Sequence, residues 1–295
     1  MGGQNFGEAQ GYMANHGSNL RNSQSINQPP AGPGAIQSRR HWPDFSTITQ
    51  YSNIGESNYE SGYVKAEKRF NGGLGFLVSY TFSKLLDTGG IVDPGDLSDT
   101  LGRNPLNPSA EYGRDFFDAR HRLVGSFVWQ LPVGKGQRLG GDWPGYLQQT
   151  IGNWQLNGIL SMQSGLPISP ILGFDNSNTG NFQDRPDTVG NPNNGPRTVL
   201  EWFNTSAFAL PAQYSYGNTR RNFIDGPPIK NLDLSLFKNF DITESKSLQF
   251  RAEFFNFLNH PNFNPPGTTF GTASFGVISS AANSRQIQLA LKFTF

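Results

Sequence analysis

The last ten residues of the chain, QIQLALKFTF, alternate between large apolar side chains and polar or small ones. The apolar positions are Ile287, Leu289, Leu291, Phe293 and Phe295, each separated from the next by one residue. Successive side chains of a strand point to opposite faces, whereas apolar positions on a helix recur every three to four residues. The segment therefore predicts a β-strand with one apolar face that runs to the terminal phenylalanine.

Six further segments alternate in the same way, and each has roughly the ten-residue length that a tilted strand needs to cross a bilayer. They are residues 59–70, 74–84, 120–131, 153–164, 230–242 and 247–257. A weaker strand is predicted near 45–53. Residues 1–40 are dominated by Gly, Asn, Ser, Gln and Pro, which predicts a polar loop or disordered segment. Residues 41–295 are predicted to form one all-β antiparallel unit.

The two faces of these strands differ in polarity. One face is apolar, and the residues expected to face lipid are Phe76, Val78, Tyr80, Phe127, Trp129, Leu234, Leu236 and Leu289. The opposite face is polar, and the residues expected to face a lumen are Glu67, Arg122, Arg251 and Glu253. A soluble sandwich shows the same alternation, because its core also covers one face of each sheet. Alternation alone therefore leaves both architectures open.

Short and long connections follow one another along the chain. Residues 71–73, Asn-Gly-Gly, predict a tight hairpin turn, and residues 243–246 predict a second short turn. The long connections are residues 85–119, 165–229 and 258–285. Compact soluble domains rarely carry structureless loops of that length, whereas outer-membrane barrels combine short periplasmic turns with long extracellular loops. The connections therefore favour an antiparallel transmembrane β-barrel with its short turns in the periplasm.

Two lysines lie near the predicted periplasmic strand ends, on the apolar face. Lys68 and Lys238 each precede an outward-facing phenylalanine by two residues, Phe70 and Phe240. A lysine at this depth extends its aliphatic stem along the apolar band and keeps its ammonium in water. We therefore predict that both ammonium groups lie among lipid headgroups.

Composition disfavours several other functions. The chain has no cysteine, which excludes disulfides and thiolate chemistry, and its net charge of +1 indicates no nucleic-acid partner. Its four histidines show no metal-ligand spacing and no nucleophile–base pair can be proposed, so we expect no metal site, no cofactor and no enzymatic activity. The aspartate-rich loop 87–99 lacks the spacing of an EF-hand. The N-terminus shows no signal peptide, and no apolar run is long enough for a transmembrane helix.

The chain also resembles the C-terminal part of TonB-dependent outer-membrane receptors of the Oar-like, acidobacterial type. The matching stretches are VKAEKRFNGGLGFLVSYTFSKLLD (64–87), RDFFDARHRLVGSFVWQLPVGKG (114–136), GNWQLNGILSMQSGLPISP (152–170), WFNTSAFALP (202–211), GPPIKNLDLSLFKNF (226–240), LQFRAEFFNFLNHPNFNPP (248–266) and RQIQLALKFTF (285–295). Together these stretches cover most of the chain after the polar N-terminal segment.

The resemblance implies a 22-stranded barrel in outer-membrane lipid that holds a plug domain and is driven by TonB. It implies that Leu291, Phe293 and Phe295 form a signal for the barrel-assembly machinery. It also implies uptake of a large scarce solute, a siderophore or an oligosaccharide, at the outer membrane of a Gram-negative bacterium. Because we find no plug domain and about seven to eight strands, we expect a C-terminal barrel fragment that does not transport alone, with the plug and TonB supplied through the full-length receptor.

The alternative is a soluble β-sandwich similar to an adhesin-like module, whose long loops would bind a glycan. That fold requires the apolar sets of all strands to form one shared core. An outer-membrane hydrolase barrel is a third interpretation, and the lack of a proposed nucleophile disfavours it.

Overall fold

The computed structural model describes residues 6–89, 103–243 and 246–295. Its strands are β1 (Phe6–Ser25), β2 (Thr49–Asn71), β3 (Leu74–Asp87), β4 (Gly113–Arg114), β5 (His121–Gln130), β6 (Trp154–Gln163), β7 (Pro167–Ile168), β8 (Asp187–Thr188), β9 (Phe208–Ala209), β10 (Ile224–Asp225), β11 (Ile229–Asp241), β12 (Ser247–Phe255) and β13 (Gln286–Thr294). Its helices are α1 (Ile36–Arg39), α2 (Gly145–Thr150) and the 3-10 turns Pro108–Glu111, Pro192–Asn194 and Thr205–Ala207. None of these helices is long and apolar enough to cross a membrane.

The long strands form one antiparallel sheet in the order β1-β2-β3-β5-β6-β11-β12-β13, and the short β4 pairs with β3. Each long strand lies beside the long strands that precede and follow it in the chain, so the sheet is a simple meander. β1 and β13 are its edges within the described residues, and the sheet is open. The prediction of an all-β antiparallel unit with about seven to eight barrel strands is confirmed.

The prediction of a loop or disordered segment over residues 1–40 is wrong for Phe6–Ser25. Phe6–Ser25 forms the 20-residue strand β1, which pairs with β2 from Phe6 opposite Lys68 to Ser25 opposite Thr49. The register shifts near Leu20, where the strand is irregular. The segment is polar, contains glycine and shows no apolar side-chain pattern, so its composition predicts a loop. It forms a strand because β2 supplies its backbone hydrogen-bond partners.

β2 joins two segments that were predicted separately. It runs for 23 residues and includes both the weak strand near 45–53 and the stronger one at 59–70. Gly72 and Gly73 follow it with positive φ angles of 62° and 82°, as a two-residue hairpin turn requires. The turns after β2, β5 and β11 all lie at one end of the meander. We call this the tight-turn end, and the other the long-loop end.

Two of the predicted connections lie partly outside the described residues. Residues 244 and 245 of the short turn after β11 are not described, although Thr243 N donates to Lys246 O at 3.1 Å across it. Residues 90–102, which include most of the aspartate-rich loop 87–99, also lie outside the described part of the chain.

The main apolar core lies in the long connections and not in the sheet. It is built from the connection between β6 and β11 and from the one between β12 and β13. Its buried members are Trp202, Phe203, Ala207, Phe208, Ile224, Phe275 and Ile278. The rings of Phe203 and Phe275 pack edge to face with centroids 5.0 Å apart. These connections were expected to be structureless, and they instead form a folded cap over the long-loop end.

A buried cluster of charges joins the end of β3 to two connections, the one between β3 and β5 and the one between β6 and β11. Arg221 forms an ion pair with Asp87, and Arg185 forms one with Glu111. Arg103 Nε lies 3.4 Å from Glu111 Oε1. Burial lowers the pKa of Arg221 to about 10, which leaves it charged at neutral pH. Each of these side chains is almost fully enclosed, so the loss of one partner would leave a buried charge without compensation.

The sandwich alternative is wrong for the described residues. A sandwich needs a second sheet that packs on the apolar face of the first. The other sheets in the described ranges are the pairs β7–β10 and β8–β9, and each of their strands has two residues.

Candidate functional site

The strand register places the residues predicted to face lipid on one continuous face. One row of directly opposed residues runs from β1 to β13 and consists of Phe6, Lys68, Phe76, Phe127, Gly158, Leu234, Phe254 and Ile287. A second row consists of Leu74, Trp129, Leu156, Leu236, Ala252 and Leu289. Val78 and Tyr80 follow Phe76 on the same face of β3. We call this surface the apolar face.

The apolar face is open to the surroundings. Leu289 is 66% exposed, and Val78, Tyr80 and Trp129 are also exposed. Soluble monomers rarely expose contiguous apolar surfaces of this kind, so such a surface marks a contact with a membrane or a partner. Aromatic side chains lie near both ends of the face. Tyr80, Phe82 and His121 lie towards the long loops, and Trp129, Trp154, Phe240, Phe250 and Phe293 lie towards the tight turns.

The predicted assembly signal lies on the edge strand β13. Leu291 is opposite Phe250 and Phe293 is opposite Leu248, so both belong to the apolar face. Phe295 follows the strand, is 89% exposed, and its ring stacks on that of Phe293 with centroids 5.9 Å apart. The aromatic end of the chain is therefore accessible to another protein, and recognition by the assembly machinery remains a prediction.

The register places the four residues predicted to face a lumen on the opposite, polar face. Glu67 lies opposite Leu77, Arg122 opposite Thr81 and Gln163, Arg251 opposite Phe237, and Glu253 opposite Ser235. Within the described residues, no ion pair joins these four side chains to one another. Glu67 instead pairs with Lys65 of its own strand at 3.0 Å. The Arg251 guanidinium lies 4.9 Å above the Phe237 ring and donates to Gln249 Oε1 at 2.5 Å.

A cavity of about 580 Å³ opens on the polar face at the long-loop end, and we call it the amide cavity. Its lining combines five asparagines with Ser161, Asp233, Phe255, Phe263, Ser284 and Gln286. The asparagines are Asn231, Asn256, Asn262, Asn264 and Asn283. Asp233 Oδ1 accepts hydrogen bonds from Asn231 Nδ2 at 2.9 Å and from the Asn256 backbone N–H at 2.8 Å. The cavity therefore offers many neutral donors and acceptors beside aromatic surface.

The prediction that the ammonium lies among lipid headgroups is wrong for Lys238. Lys238 is 1% exposed, and its ammonium donates to Gln148 O at 2.9 Å and to Gly152 O. Lys68 Nζ donates to Asn71 O at 2.7 Å and to Leu74 O. Both ammonium groups thus donate to backbone carbonyls at the tight-turn end that lie within reach of the lysine stem. Sequence inspection missed the carbonyl partners because hydrogen bonds to the backbone leave no residue-type pattern.

An antiparallel meander with one apolar face, one polar face and short turns at one end is the wall of a membrane β-barrel. Residues 3–288 match the family model of the outer membrane beta barrel domain, and the chain belongs to this family.

Among solved structures, the chain is similar to the outer membrane transporter YddB from Escherichia coli, with 11% identity and a TM-score of 0.50. The match covers 100% of this chain and 31% of YddB, so the chain spans about a third of the length of that transporter. A comparison with curated proteins found no match. The likeness to YddB shows a shared fold, and together with the family it indicates an outer-membrane location.

Proposed function

We propose that the chain is part of the wall of a TonB-dependent outer-membrane receptor of the Oar-like type. The observation that carries this proposal is the open eight-stranded meander, whose full length aligns with part of an outer membrane transporter. The edges β1 and β13 expose unpaired backbone groups, which lipid cannot satisfy and which a closed barrel pairs. This supports a role within a larger wall. The plug domain and TonB then act through the full-length receptor, and the chain itself performs no catalysis.

Within this proposal, the amide cavity contacts the solute. Asparagine amides donate to and accept from hydroxyl groups, and the rings of Phe255 and Phe263 offer surface to the apolar face of a sugar. Asp233 contributes an acidic side chain, and the lining residues include no lysine or arginine. A negatively charged solute would therefore be poorly matched at this cavity. Of the two solute classes that we expected, an oligosaccharide fits this lining better than an anionic siderophore.

The first test identifies the protein in the cell that carries the sequence RQIQLALKFTF. Outer membranes are separated from soluble fractions and probed with an antibody to an exposed loop, and peptide mass spectrometry confirms the identity of the band. We expect a product several-fold larger than 32.5 kDa in the outer membrane. We also expect uptake of a labelled oligosaccharide to stop when this gene or the TonB gene is deleted. A detergent-free product in the soluble fraction, or uptake that continues without TonB, would contradict the proposal.

Removal of Phe295 is expected to reduce the amount of folded barrel in the outer membrane several-fold. The ring of Phe295 follows β13 and is more exposed than the apolar side chains of the strand, so its loss weakens recognition and not the finished wall. The measurement is the heat-modifiable band of the outer-membrane fraction on a gel. Thr294→Ser is the matched control, since it changes the adjacent residue and keeps the terminal ring. Equal amounts of folded barrel from the wild type and the truncated chain would exclude a recognition role.

A further inference from the structure

The connection between β5 and β6 folds onto the apolar face at the tight-turn end. Two residues of this face hold it there. Lys238 Nζ donates to Gln148 O at 2.9 Å and to Gly152 O, and Trp154 Nε1 donates to Thr150 O at 2.9 Å. Lys238 lies directly opposite both Trp154 and Phe250 in the sheet, which places it on the apolar face. The C-terminal end of α2 therefore lies against the outside of the wall.

This contact encloses the ammonium of Lys238 completely. Its nitrogen lies 5.8 Å from the Trp154 ring centroid and 5.4 Å from that of Phe240, and the carbonyls of the connection accept its hydrogen bonds. The last carbonyls of a helix have no partner within the helix, and a cation that reaches them is stabilising. Lys238 thus provides a fixed attachment point for α2 that a freely hydrated lysine would not provide.

The same connection presents apolar and aromatic side chains outward. Tyr146 is 68% exposed and Ile151 is 50% exposed, and Leu139 and Trp143 are also exposed. Tyrosine and tryptophan are enriched at membrane–water interfaces, because their rings are apolar and their tips are polar. Their connection is held against the apolar face by the hydrogen bonds of Lys238 and Trp154, and in a barrel of this family that face meets the lipid of the outer membrane.

We propose that residues 139–151 form an interfacial segment that lies in the phospholipid headgroup layer at the tight-turn end, with Lys238 as its attachment to the wall. The segment lies flat on the barrel and does not project into water as a free turn. The segment contacts the lipid interface. Its exposed residues are of the type found in the headgroup layer, and they adjoin the surface of the barrel that faces lipid. This inference depends on the barrel class and is independent of the transported solute.

These 295 residues contain no cysteine, so one introduced cysteine is the single thiol that this part of the protein offers for labelling. Tyr146→Cys is labelled with a small fluorophore in the assembled outer-membrane protein, reconstituted in phosphatidylethanolamine and phosphatidylglycerol vesicles. Leu200→Cys is the reference, since Leu200 is exposed in a long extracellular connection. Leu289→Cys reports the lipid-facing surface. Quenching is then compared among lipids spin-labelled at the headgroup, lipids spin-labelled in the acyl chain, and aqueous iodide.

We expect the label at position 146 to be quenched most strongly by the headgroup spin label, and the label at position 200 by iodide alone. Iodide quenching at 146 equal to that at 200 would show a free turn and overturn the proposal. Protection of position 146 from all three quenchers would show that protein covers the segment, and this outcome would overturn it as well.

Lys238→Met, combined with the label at position 146, tests the attachment. We expect iodide quenching at 146 to rise several-fold, because the end of α2 loses the ammonium that binds Gln148 O and Gly152 O. Lys68→Met is the matched control, since Lys68 binds carbonyls of a different turn at the same end. Unchanged quenching in the Lys238 variant would show that Lys238 does not attach the segment to the wall. The measurement at position 146 in the protein that keeps Lys238 tests the membrane contact separately.

Discussion

Arg221→Met is expected to lower the free energy of unfolding by about 3–5 kcal/mol, because it leaves the carboxylate of Asp87 buried without its partner. The guanidinium of Arg221 also donates to Glu111 O at 3.1 Å and to Asp87 O at 3.2 Å, so the substitution removes contacts both to the connection after β3 and to the end of β3 itself. The measurement is urea unfolding of the reconstituted protein, followed by tryptophan fluorescence, to which Trp202 of the cap contributes.

Two variants make this first prediction specific. Arg220→Met changes the adjacent, exposed arginine and is expected to have little effect. The double variant Arg221→Met with Asp87→Leu removes both buried charges, and it is expected to recover most of the lost stability. If Arg221→Met is no more destabilising than Arg220→Met, the buried charge cluster does not stabilise the cap.

Leu234→Arg is expected to destabilise the inserted barrel by about 2–4 kcal/mol, the range for arginine at the bilayer midplane on the lipid face. Leu234 lies in the middle of β11, opposite Gly158 and Phe254 on the apolar face. Ser235→Arg is the matched control, because the next residue of the strand points to the polar face and can remain in water. Leu291→Arg, nearer to the tight-turn end, is expected to cost less than Leu234→Arg.

The second prediction is measured by chemical unfolding in vesicles and by the yield of folded protein in the outer membrane. Normal yield and stability of Leu234→Arg would show that the apolar face does not meet lipid. Equal losses for Leu234→Arg and Ser235→Arg would contradict the assignment of the two faces.

The alternating pattern was sufficient to predict seven of the eight long strands. In segments such as 74–84 and 286–295 every second residue is apolar, and a strand with one covered face is the structure that satisfies this period. The alternation of short and long connections indicated which strands lie side by side. The division of residues between the two faces also follows from the sequence, because side-chain direction in a strand depends on position alone.

The features that sequence could not predict depend on contacts between distant segments. β1 is a strand because β2 supplies its backbone partners, so its own polar composition predicts a loop. The cap core brings Phe203 beside Phe275, and the charge cluster brings Arg221 beside Asp87, although no local pattern relates them.

The sequence by itself therefore determined the class of fold, the faces of the strands and the end at which the chain turns tightly. The tertiary structure decided that the long connections fold into a cap, that an amide cavity opens beneath it, and that Lys238 attaches α2 to the wall. The physical reason is the distance along the chain between the residues that determine each feature. The period of a strand is a property of neighbouring residues, whereas the enclosure of a lysine or an ion pair depends on which remote backbone and side-chain groups the fold brings within hydrogen-bond distance.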